Sequence, residues 1–231
     1  MKIGGLQPVT LLDYPHKVAA IIFASGCNMR CPFCYNSNLV LPEQIKLSQL
    51  LEPKPILDFL KRRKKYLEGV VITGGEPTLQ PRLLPFCRSV KKLGYEIKLD
   101  TNGLRPEVLA KLLEAKSINY IAMDIKGPVT QYKKFCGVAI EGKKIRDSIK
   151  LVMESGLPYE FRSTLVKGLH TKEDVAKMAR AIKGASLYYL QNYHDSARPL
   201  LADFKGESFF NKEMEEFRKI AGEYVKECKI R

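Results

Sequence analysis

Short apolar runs alternate along the chain with segments whose apolar positions recur at helical spacing. The runs have the length and β-branched content of strands, and the segments between them have the length of helices. The predicted strands cover residues 18–24, 69–73, 96–100, 119–125, 159–166 and 186–191. The predicted helices lie within residues 47–67, with a break at Pro53 and Pro55, and over residues 83–93, 106–115, 143–155, 171–182 and 212–227.

Six strand–helix units in succession predict an α/β fold with a parallel sheet and right-handed crossovers. Residues 1–17 precede the first strand as a lead-in or a small hairpin. The whole chain of 231 residues has the length of one domain with a sizeable core, so we expect a single domain over residues 1–231. In such folds, chemistry belongs at the carboxyl ends of the strands.

Composition bears on the cellular compartment and the partners of the protein more than on its activity. Six cysteines without a signal-like N-terminus argue against a secreted disulfide scaffold, and the apolar run 18–24 is too short to span a membrane. We therefore expect a cytoplasmic protein that does not bind a membrane. The formal charge of +14 is compatible with an acidic protein partner, a phosphorylated substrate, nucleic acid or merely a solvated surface. The basic run 61–65 closes a predicted helix, where positive charge suits the helix dipole, and this favours the surface interpretation.

Three cysteines, Cys27, Cys31 and Cys34, follow the first predicted strand at the spacing C-x3-C-x2-C. Thiolates so close in sequence can surround one soft metal centre, and iron–sulfur clusters are usually held by such cysteines. A structural zinc or an electron-transfer cluster normally has a fourth protein ligand, whereas a catalytic centre keeps one position open. No fourth Cys or His lies nearby in sequence, so a cubane here would leave one iron open to a substrate or cofactor. Three buried cysteines, or a zinc knuckle completed from elsewhere, are the alternatives.

The motif C-x3-C-x-Phe-C after the first strand resembles the signature of the radical S-adenosylmethionine (SAM) enzymes. The surrounding segment, residues 5–15 and 34–36, is similar to the glycyl-radical-enzyme activating group within that superfamily. In that group it most resembles the activating proteins of anaerobic ribonucleoside-triphosphate reductase, with the pyruvate formate-lyase activating enzymes as near relatives. The resemblance implies an open, partial (βα)6 TIM-like barrel over residues 18–231, including the C-terminal helix. It also implies one 4Fe–4S cluster on the three cysteines, and SAM as the molecule that binds the open iron.

The segment Gly74, Gly75, Glu76 and Pro77 ends the second predicted strand and resembles the family's GGE motif. The ammonium group of SAM needs acceptors, which loop carbonyls exposed by glycines and the Glu76 carboxylate can supply. A simple turn is the alternative, because Gly-Gly and Pro are turn residues.

Two further aspartates end the next two strands, Asp100 before Thr101 and Asp124 before Ile125 and Lys126. Two carboxylates facing the carboxylate of SAM would repel it unless a cation intervened, and Lys126 can supply part of that charge. The resemblance adds a monovalent cation near Asp100, Thr101 and Asp124. A structural ion pair between Asp124 and Lys126 is the alternative.

Four more residues are candidate contacts of SAM. Arg162 on the fifth strand could reach the ribose or sulfonium side, and Phe33 could pack with Tyr35 against adenine. His194 follows the sixth strand, where the resemblance implies a contact with the adenosyl part; a surface histidine is the alternative. The commonest family pattern has His after the third cysteine, whereas this chain has Tyr35, a departure that bears on the subgroup and not on the cluster.

The resemblance implies that a reduced cluster cleaves SAM to methionine and a 5′-deoxyadenosyl radical, which takes a hydrogen atom from a glycine Cα of a large partner. No catalytic residues beyond the cluster and SAM are expected, because the cofactor carries the chemistry. The implied partners are a glycyl radical enzyme, expected to be anaerobic ribonucleoside-triphosphate reductase, and an electron donor such as flavodoxin or ferredoxin. A radical SAM enzyme acting on a small molecule or a tRNA base is the main alternative, although no appended RNA-binding module supports nucleic acid as a partner. An iron–sulfur electron carrier or redox sensor is the third.

Overall fold

The computed structural model describes residues 1–47, 49–194, 200 and 204–231. The strands are β1 (Ile3–Thr10), β2 (Ala19–Ala24), β3 (Gly69–Gly74), β4 (Glu96–Thr101), β5 (Tyr120–Asp124), β6 (Tyr159–Leu165), β7 (Tyr188–Asn192) and β8 (Cys228–Ile230). The helices are α1 (Ser37–Val40), α2 (Pro42–Leu47), α3 (Pro53–Arg63), α4 (Leu83–Lys92), α5 (Pro106–Glu114), α6 (Tyr132–Cys136), α7 (Gly142–Glu154), α8 (Lys172–Ala181) and α9 (Asn211–Gly222). Among the described residues, no helix combines the length and the apolar character needed to cross a membrane.

The strands form one sheet in which their order from β1 to β8 is their order along the chain. β1 pairs with β2 in antiparallel fashion, and the pairs β2–β3, β3–β4, β6–β7 and β7–β8 are parallel. Strands in sequential order with helices between them are the arrangement that a βα barrel requires, and here the sheet is open. The predicted α/β fold, an open sheet of the partial-barrel type, is confirmed.

All six strands that the apolar runs predict are present, as β2 to β7. The first predicted helix is shorter than expected, because α3 begins at Pro53 and ends at Arg63. The two prolines mark the first turn of α3, where the missing N–H group costs nothing, rather than a break inside a longer helix. The predicted helix over residues 171–182 begins with a capping box, in which Asp174 Oδ2 accepts from the Thr171 N–H at 3.0 Å.

The C-terminal segment differs from the prediction of one helix over residues 212–227. Helix α9 ends at Gly222, and the chain then forms β8, which pairs with β7. Three residues are too few to show the alternation by which a strand is recognised in a sequence. β1 gives the predicted lead-in a definite structure, a strand antiparallel to β2.

The chain forms two compact units, and the prediction of a single domain stays a prediction. The first unit comprises residues 1–28, 38–101 and 105–121. One face of its strands carries an apolar cluster of Tyr14, Ala19, Ile21, Val71 and Tyr120. Every residue of β3 from Gly69 to Ile72 is buried, the pattern expected of a parallel strand covered on both faces.

The second unit comprises residues 29–37, 102–104 and 122–231. Its strands β6 and β7 pair over five residues, from Phe161 opposite Tyr188 to Leu165 opposite Asn192. Helices α8 and α9 lie against each other in this unit. The capping box and the apolar face of α8, with Val175 and Met178 fully buried, account for the position of that helix.

Candidate functional site

In the first unit, the turn after β3 lies against the backbone that leads from β2 to the first cysteine. Gly75 donates to the Ala24 carbonyl at 2.8 Å, and Glu76 donates to the Gly26 carbonyl at 2.8 Å. A Cβ on Gly75 would stand 2.2 Å from the Gly26 oxygen, and Gly74 adopts φ +109°, so neither position accommodates a side chain without rearrangement. The two glycines therefore allow the turn that carries Glu76 to contact the backbone beside Cys27.

Glu76 lies at the centre of a buried network of hydroxyl and amide donors. Its Oε1 accepts from the Thr78 N–H at 3.0 Å, from the Thr78 hydroxyl and from the Thr101 hydroxyl at 2.7 Å. Three donors on one oxygen fix the carboxylate and link the end of β3 to the end of β4. Pro77, which is buried, begins the short 3₁₀ turn that Glu76 caps. The structure thus brings together three residues that the sequence singled out.

Asp100 is also in the first unit, but its partner was not predicted from the sequence. Lys98, only 1% exposed, donates to Asp100 Oδ1 at 2.6 Å. Its ammonium nitrogen lies 5.9 Å from the centre of the Tyr120 ring. Residues two apart on a strand share a face, so this spacing could have revealed the pair.

The three cysteines of the motif are divided between the units, Cys27 in the first, and Cys31 and Cys34 in the second. Within the second unit, Cys34 N–H donates to the Cys31 carbonyl at 3.1 Å, closing a tight turn. Arg30 N–H donates to the Cys136 carbonyl at 2.7 Å, which anchors the start of this loop on α6. All six cysteines lie in the described part of the chain, and none forms a disulfide.

The cysteines outside the motif are less suited to binding a metal. Burial raises the pKa of the Cys87 thiol to about 12 and that of Cys228 to about 11, and it raises the pKa of Cys136 as well. Metal ligation requires the thiolate, which these environments disfavour. The raised pKa values of these three thiols therefore disfavour them as metal ligands.

In the second unit, Asp124 at the end of β5 binds two basic side chains. Arg162 Nε donates to its Oδ1 at 2.9 Å, and Lys126 Nζ donates to its Oδ2 at 3.0 Å. Burial opposes ionisation of the carboxyl group, but the charges of Arg162 and then Lys126 prevail and lower the pKa of Asp124 to about 2. Burial likewise opposes the charge on Lys126, yet Asp124 and Cys31 together raise its pKa.

The loop that follows Asp124 is held by buried groups. The Ile125 N–H donates to the Arg162 carbonyl at 2.8 Å, and its own carbonyl accepts from the Ser163 hydroxyl at 2.6 Å. The Tyr132 hydroxyl accepts from the Lys126 N–H at 3.0 Å. Ile125 is thus a buried part of the strand end, whose backbone positions the two charged residues on either side of it.

His170 is a component of the second unit that the sequence did not single out. Its Nδ1 accepts from the Val166 N–H at 3.1 Å, so Nε2 carries the proton and donates to the Lys126 carbonyl at 3.1 Å. The imidazole contacts the rings of Phe33 and Phe135, whose centres lie 6.0 Å and 4.8 Å away. His170 therefore connects the cysteine loop to the end of β5. Its position just before the predicted helix over residues 171–182 was the available signal.

Two aromatic residues of the cysteine loop already have partners in the second unit. Phe33 is buried, with its ring against those of His170 and Phe204. Tyr35 stacks on Tyr193 at 5.6 Å between ring centres, and its hydroxyl accepts from the His194 N–H at 2.8 Å. His194 itself is exposed, so the contact uses its backbone and leaves the role of its imidazole as a prediction.

Taken unit by unit, these residues have chemistry that suits an iron–sulfur cluster and SAM. The motif supplies thiols that are not consumed in disulfides, and Lys126 adds positive charge near Cys31. The glycines at residues 74–75 let the turn pack against the backbone beside Cys27, and Glu76 is a fixed acceptor in that turn. Among the described residues, no three His, Cys, Asp or Glu side chains form a group that could hold a single metal ion. A cluster does not require such a group, because its cysteines bind different irons.

Comparison with known families agrees with this chemistry. The profile of the radical SAM superfamily matches residues 21–182, well over half of the chain. The chain belongs to the radical SAM superfamily, as the cysteine motif indicated. Membership implies a 4Fe–4S cluster and SAM as its cofactors, and it defines the protein as an enzyme.

Three relatives span a range of named activities. A Methanocaldococcus jannaschii protein provisionally named as a glycyl-radical enzyme activating enzyme is 32% identical over 240 residues, covering 99% of this chain and 95% of its own. The pyruvate formate-lyase-activating enzyme of Clostridium pasteurianum is 28% identical, covering 79% of this chain and 76% of its own. The GTP 3′,8-cyclase of Aquifex aeolicus is also 28% identical, but over 78% of this chain and 58% of its own.

Solved structures support the fold. Streptococcus suis SuiB bound to S-adenosylmethionine superposes with a TM-score of 0.65, covering 91% of this chain and 51% of that one. Its sequence identity of 15% limits the likeness to the fold.

Proposed function

We propose that this protein is a radical SAM activating enzyme that installs a glycyl radical on a large partner enzyme. The observation that carries the proposal is its 32% identity, along nearly the whole of both chains, to a relative with that provisional name. The similarity to a pyruvate formate-lyase-activating enzyme supports the same reaction class. Anaerobic ribonucleoside-triphosphate reductase is the proposed partner, on the resemblance of residues 5–15 and 34–36 to its activating proteins.

Cys27, Cys31 and Cys34 are the proposed ligands of the cluster, which when reduced supplies the electron that cleaves SAM into methionine and a 5′-deoxyadenosyl radical. The C-x3-C-x2-C spacing, the absence of disulfides and the raised pKa values of the other three thiols support this ligand set. A flavodoxin or ferredoxin is the proposed electron donor. The chain contributes ligands and orientation rather than a further acid or base.

The methionine end of SAM is assigned to the strand ends. Gly74, Gly75 and Glu76 accept from its ammonium group, supported by the fixed position of the Glu76 carboxylate in its three-donor network. Lys126 and Arg162 offset the charge of Asp124, so the end of β5 offers a neutralised or cationic surface to the carboxylate of SAM.

The other predicted contacts concern the adenosyl part of SAM and a cation. Phe33, Tyr35 and His194 stay candidates for the adenosyl part. The monovalent cation near Asp100, Thr101 and Asp124 also stays a prediction. A basic side chain already lies within hydrogen-bond distance of each aspartate, which lessens the need for an ion.

The experiment that tests the proposal is anaerobic incubation of the reduced protein with SAM and purified anaerobic ribonucleoside-triphosphate reductase. We expect an electron paramagnetic resonance doublet, because the unpaired electron on a glycine couples to the one hydrogen left on its Cα. Deuterium at that Cα should appear in 5′-deoxyadenosine and collapse the doublet. A partner whose target glycine is replaced by Ala is the matched control.

A different outcome would identify the rival reaction. If the deuterium of 5′-deoxyadenosine came only from a nucleotide or a tRNA, the activating function would be wrong while the radical SAM assignment stood. The similarity to a GTP 3′,8-cyclase makes GTP the first small molecule to include.

A further inference from the structure

Lys98 is a buried charged residue of the first unit to which neither the family motifs nor the proposed reaction gives a role. Its side chain is 1% exposed, and its Nζ lies 2.6 Å from Oδ1 of Asp100, two residues further along β4. The pair lies on the strand face that also carries Val71, the residue opposite Lys98 on β3. The ring of Tyr120 lies 5.9 Å from the ammonium nitrogen, measured to its centre.

Stability alone does not account for an ammonium group at this place. Removing a charge from water is costly, and replacing a buried ion pair by apolar groups is often neutral or stabilising. Val71, Ile21 and Tyr120 on the same face form an apolar cluster into which an apolar side chain would fit. The charge of Lys98 is therefore better explained by what it does to Asp100.

The consequence of the pair is electrostatic. Asp100 directly precedes Thr101 at the end of β4, and the Thr101 hydroxyl binds Glu76, the proposed acceptor for the ammonium of SAM. An unpaired carboxylate there would repel the carboxylate of SAM. The ammonium of Lys98 is attached to the same strand and therefore cannot exchange with solvent, unlike a bound sodium or potassium ion.

We propose that Lys98 is a built-in cation, a positioning residue that fixes Asp100 and offsets its charge, so that SAM binds without a monovalent ion from solvent at Asp100. The inference rests on the SAM contacts of the proposed function, and it concerns binding rather than the identity of the hydrogen donor.

The test measures SAM binding to the anaerobic, cluster-loaded protein by equilibrium dialysis. Sodium or potassium is compared with choline, a cation too bulky for a compact site, at constant ionic strength. Between these salts we expect the dissociation constant of SAM for the wild type to change by less than about twofold. At constant ionic strength, each salt screens the charges of the protein equally. Lys98→Met keeps the apolar stem and removes the charge. It should weaken SAM binding about tenfold in choline, and sodium or potassium should restore most of the loss.

Two further variants separate charge from structure. Lys98→Arg keeps the charge and should retain ion-independent binding. Lys54→Met removes an ammonium whose side chain is 88% exposed and should behave as the wild type does. Thermal unfolding of each variant shows whether it folds. If Lys98→Met does not fold, SAM binding by the wild type and by Lys98→Arg is compared in sodium, potassium and choline. That comparison still shows whether SAM binding needs an ion from solvent.

Several results would overturn the inference. A wild type that binds SAM only with sodium or potassium would assign the charge at Asp100 to a solvent ion. Unchanged, ion-independent binding by Lys98→Met would make the pair merely structural, and a loss that no ion restores would exclude a charge role. If the cluster-loaded protein bound no SAM, the inference and the proposed SAM contacts would fail together. Ion-independent SAM binding without a glycyl radical on any partner would leave Lys98 in its role and refute only the activating function.

Discussion

Arg162 Nε donates a hydrogen bond of 2.9 Å to Asp124 Oδ1 and thereby ties the end of β5 to the middle of β6. The same residue accepts the Ile125 N–H through its carbonyl at 2.8 Å, so the two strands are joined by backbone and side chain together. With Lys126 on the other oxygen, Asp124 has a cation on each side. This arrangement keeps one carboxylate ionised at a strand end where the carboxylate of SAM is proposed to bind.

Replacing Arg162 by Met should destabilise the protein by about 1–3 kcal/mol, since a mostly buried carboxylate would lose one of its two cations. Denaturant unfolding of the anaerobic protein measures this loss. Arg162→Met combined with Asp124→Asn should recover part of it, because the uncompensated charge is then removed. Equal stability of wild type and Arg162→Met would show that Lys126 alone satisfies Asp124.

Replacing Glu76 by Gln should leave the cluster intact and weaken SAM binding. The loss should be about 1.5–3 kcal/mol, which is roughly tenfold to a hundredfold in the dissociation constant, because a charged acceptor for the ammonium becomes neutral. Iron content and equilibrium dialysis measure the two properties. Glu107→Gln, at an exposed position, is the control. An unchanged affinity would restrict Glu76 to its structural bonds with Thr78 and Thr101.

Replacing any one of Cys27, Cys31 and Cys34 by Ala should abolish cluster-dependent cleavage of SAM, because each supplies one of the three proposed thiolates. Replacing Cys87 or Cys228 by Ala should leave cluster content unchanged, since their raised pKa values disfavour thiolates. Iron and sulfide analysis after anaerobic reconstitution measures cluster content. Full content in Cys31→Ala would refute the ligand assignment.

The sequence predicted the six central strands because each is a short stretch in which apolar residues either run together or alternate with polar ones. It did not predict β8, whose three residues carry no periodic signal, or the helix start at Pro53, because a proline inside an apolar pattern has two interpretations. Local signals therefore located the strands, whereas pairing with β7 established β8 as a strand.

For the candidate site, the sequence located the charged residues at strand ends but not their partners. Asp124 and Lys126 share a spacing that suggests an ion pair, and the pair is present. The part played by Arg162 in that pair depends on which strand lies beside β5, which no local pattern encodes. His170 was missed for the same reason, since both of its hydrogen-bond partners come from strand ends.

The last prediction concerns His170, whose burial lowers its pKa to about 4 from the ordinary value of 6.5. Between pH 6.5 and pH 4, the unfolded chain takes up a proton that the folded protein refuses. The stabilising contribution of neutral His170 is therefore complete above pH 6.5 and is lost as the pH falls through this window.

The free energy of unfolding should accordingly fall by up to about 1.4 kcal/mol per pH unit from this group alone. His170→Asn removes the titrating group and should flatten the slope between pH 6.5 and pH 4, at the cost of a lower stability at pH 7. His16→Asn is a matched control, because His16 is exposed and its φ of 60° suits Asn. Denaturant unfolding at intervals of pH measures the slopes. Parallel slopes for His170→Asn and the wild type would mean that His170 takes up its proton in the folded protein, and that its bonds to Val166 and Lys126 do not require a neutral ring.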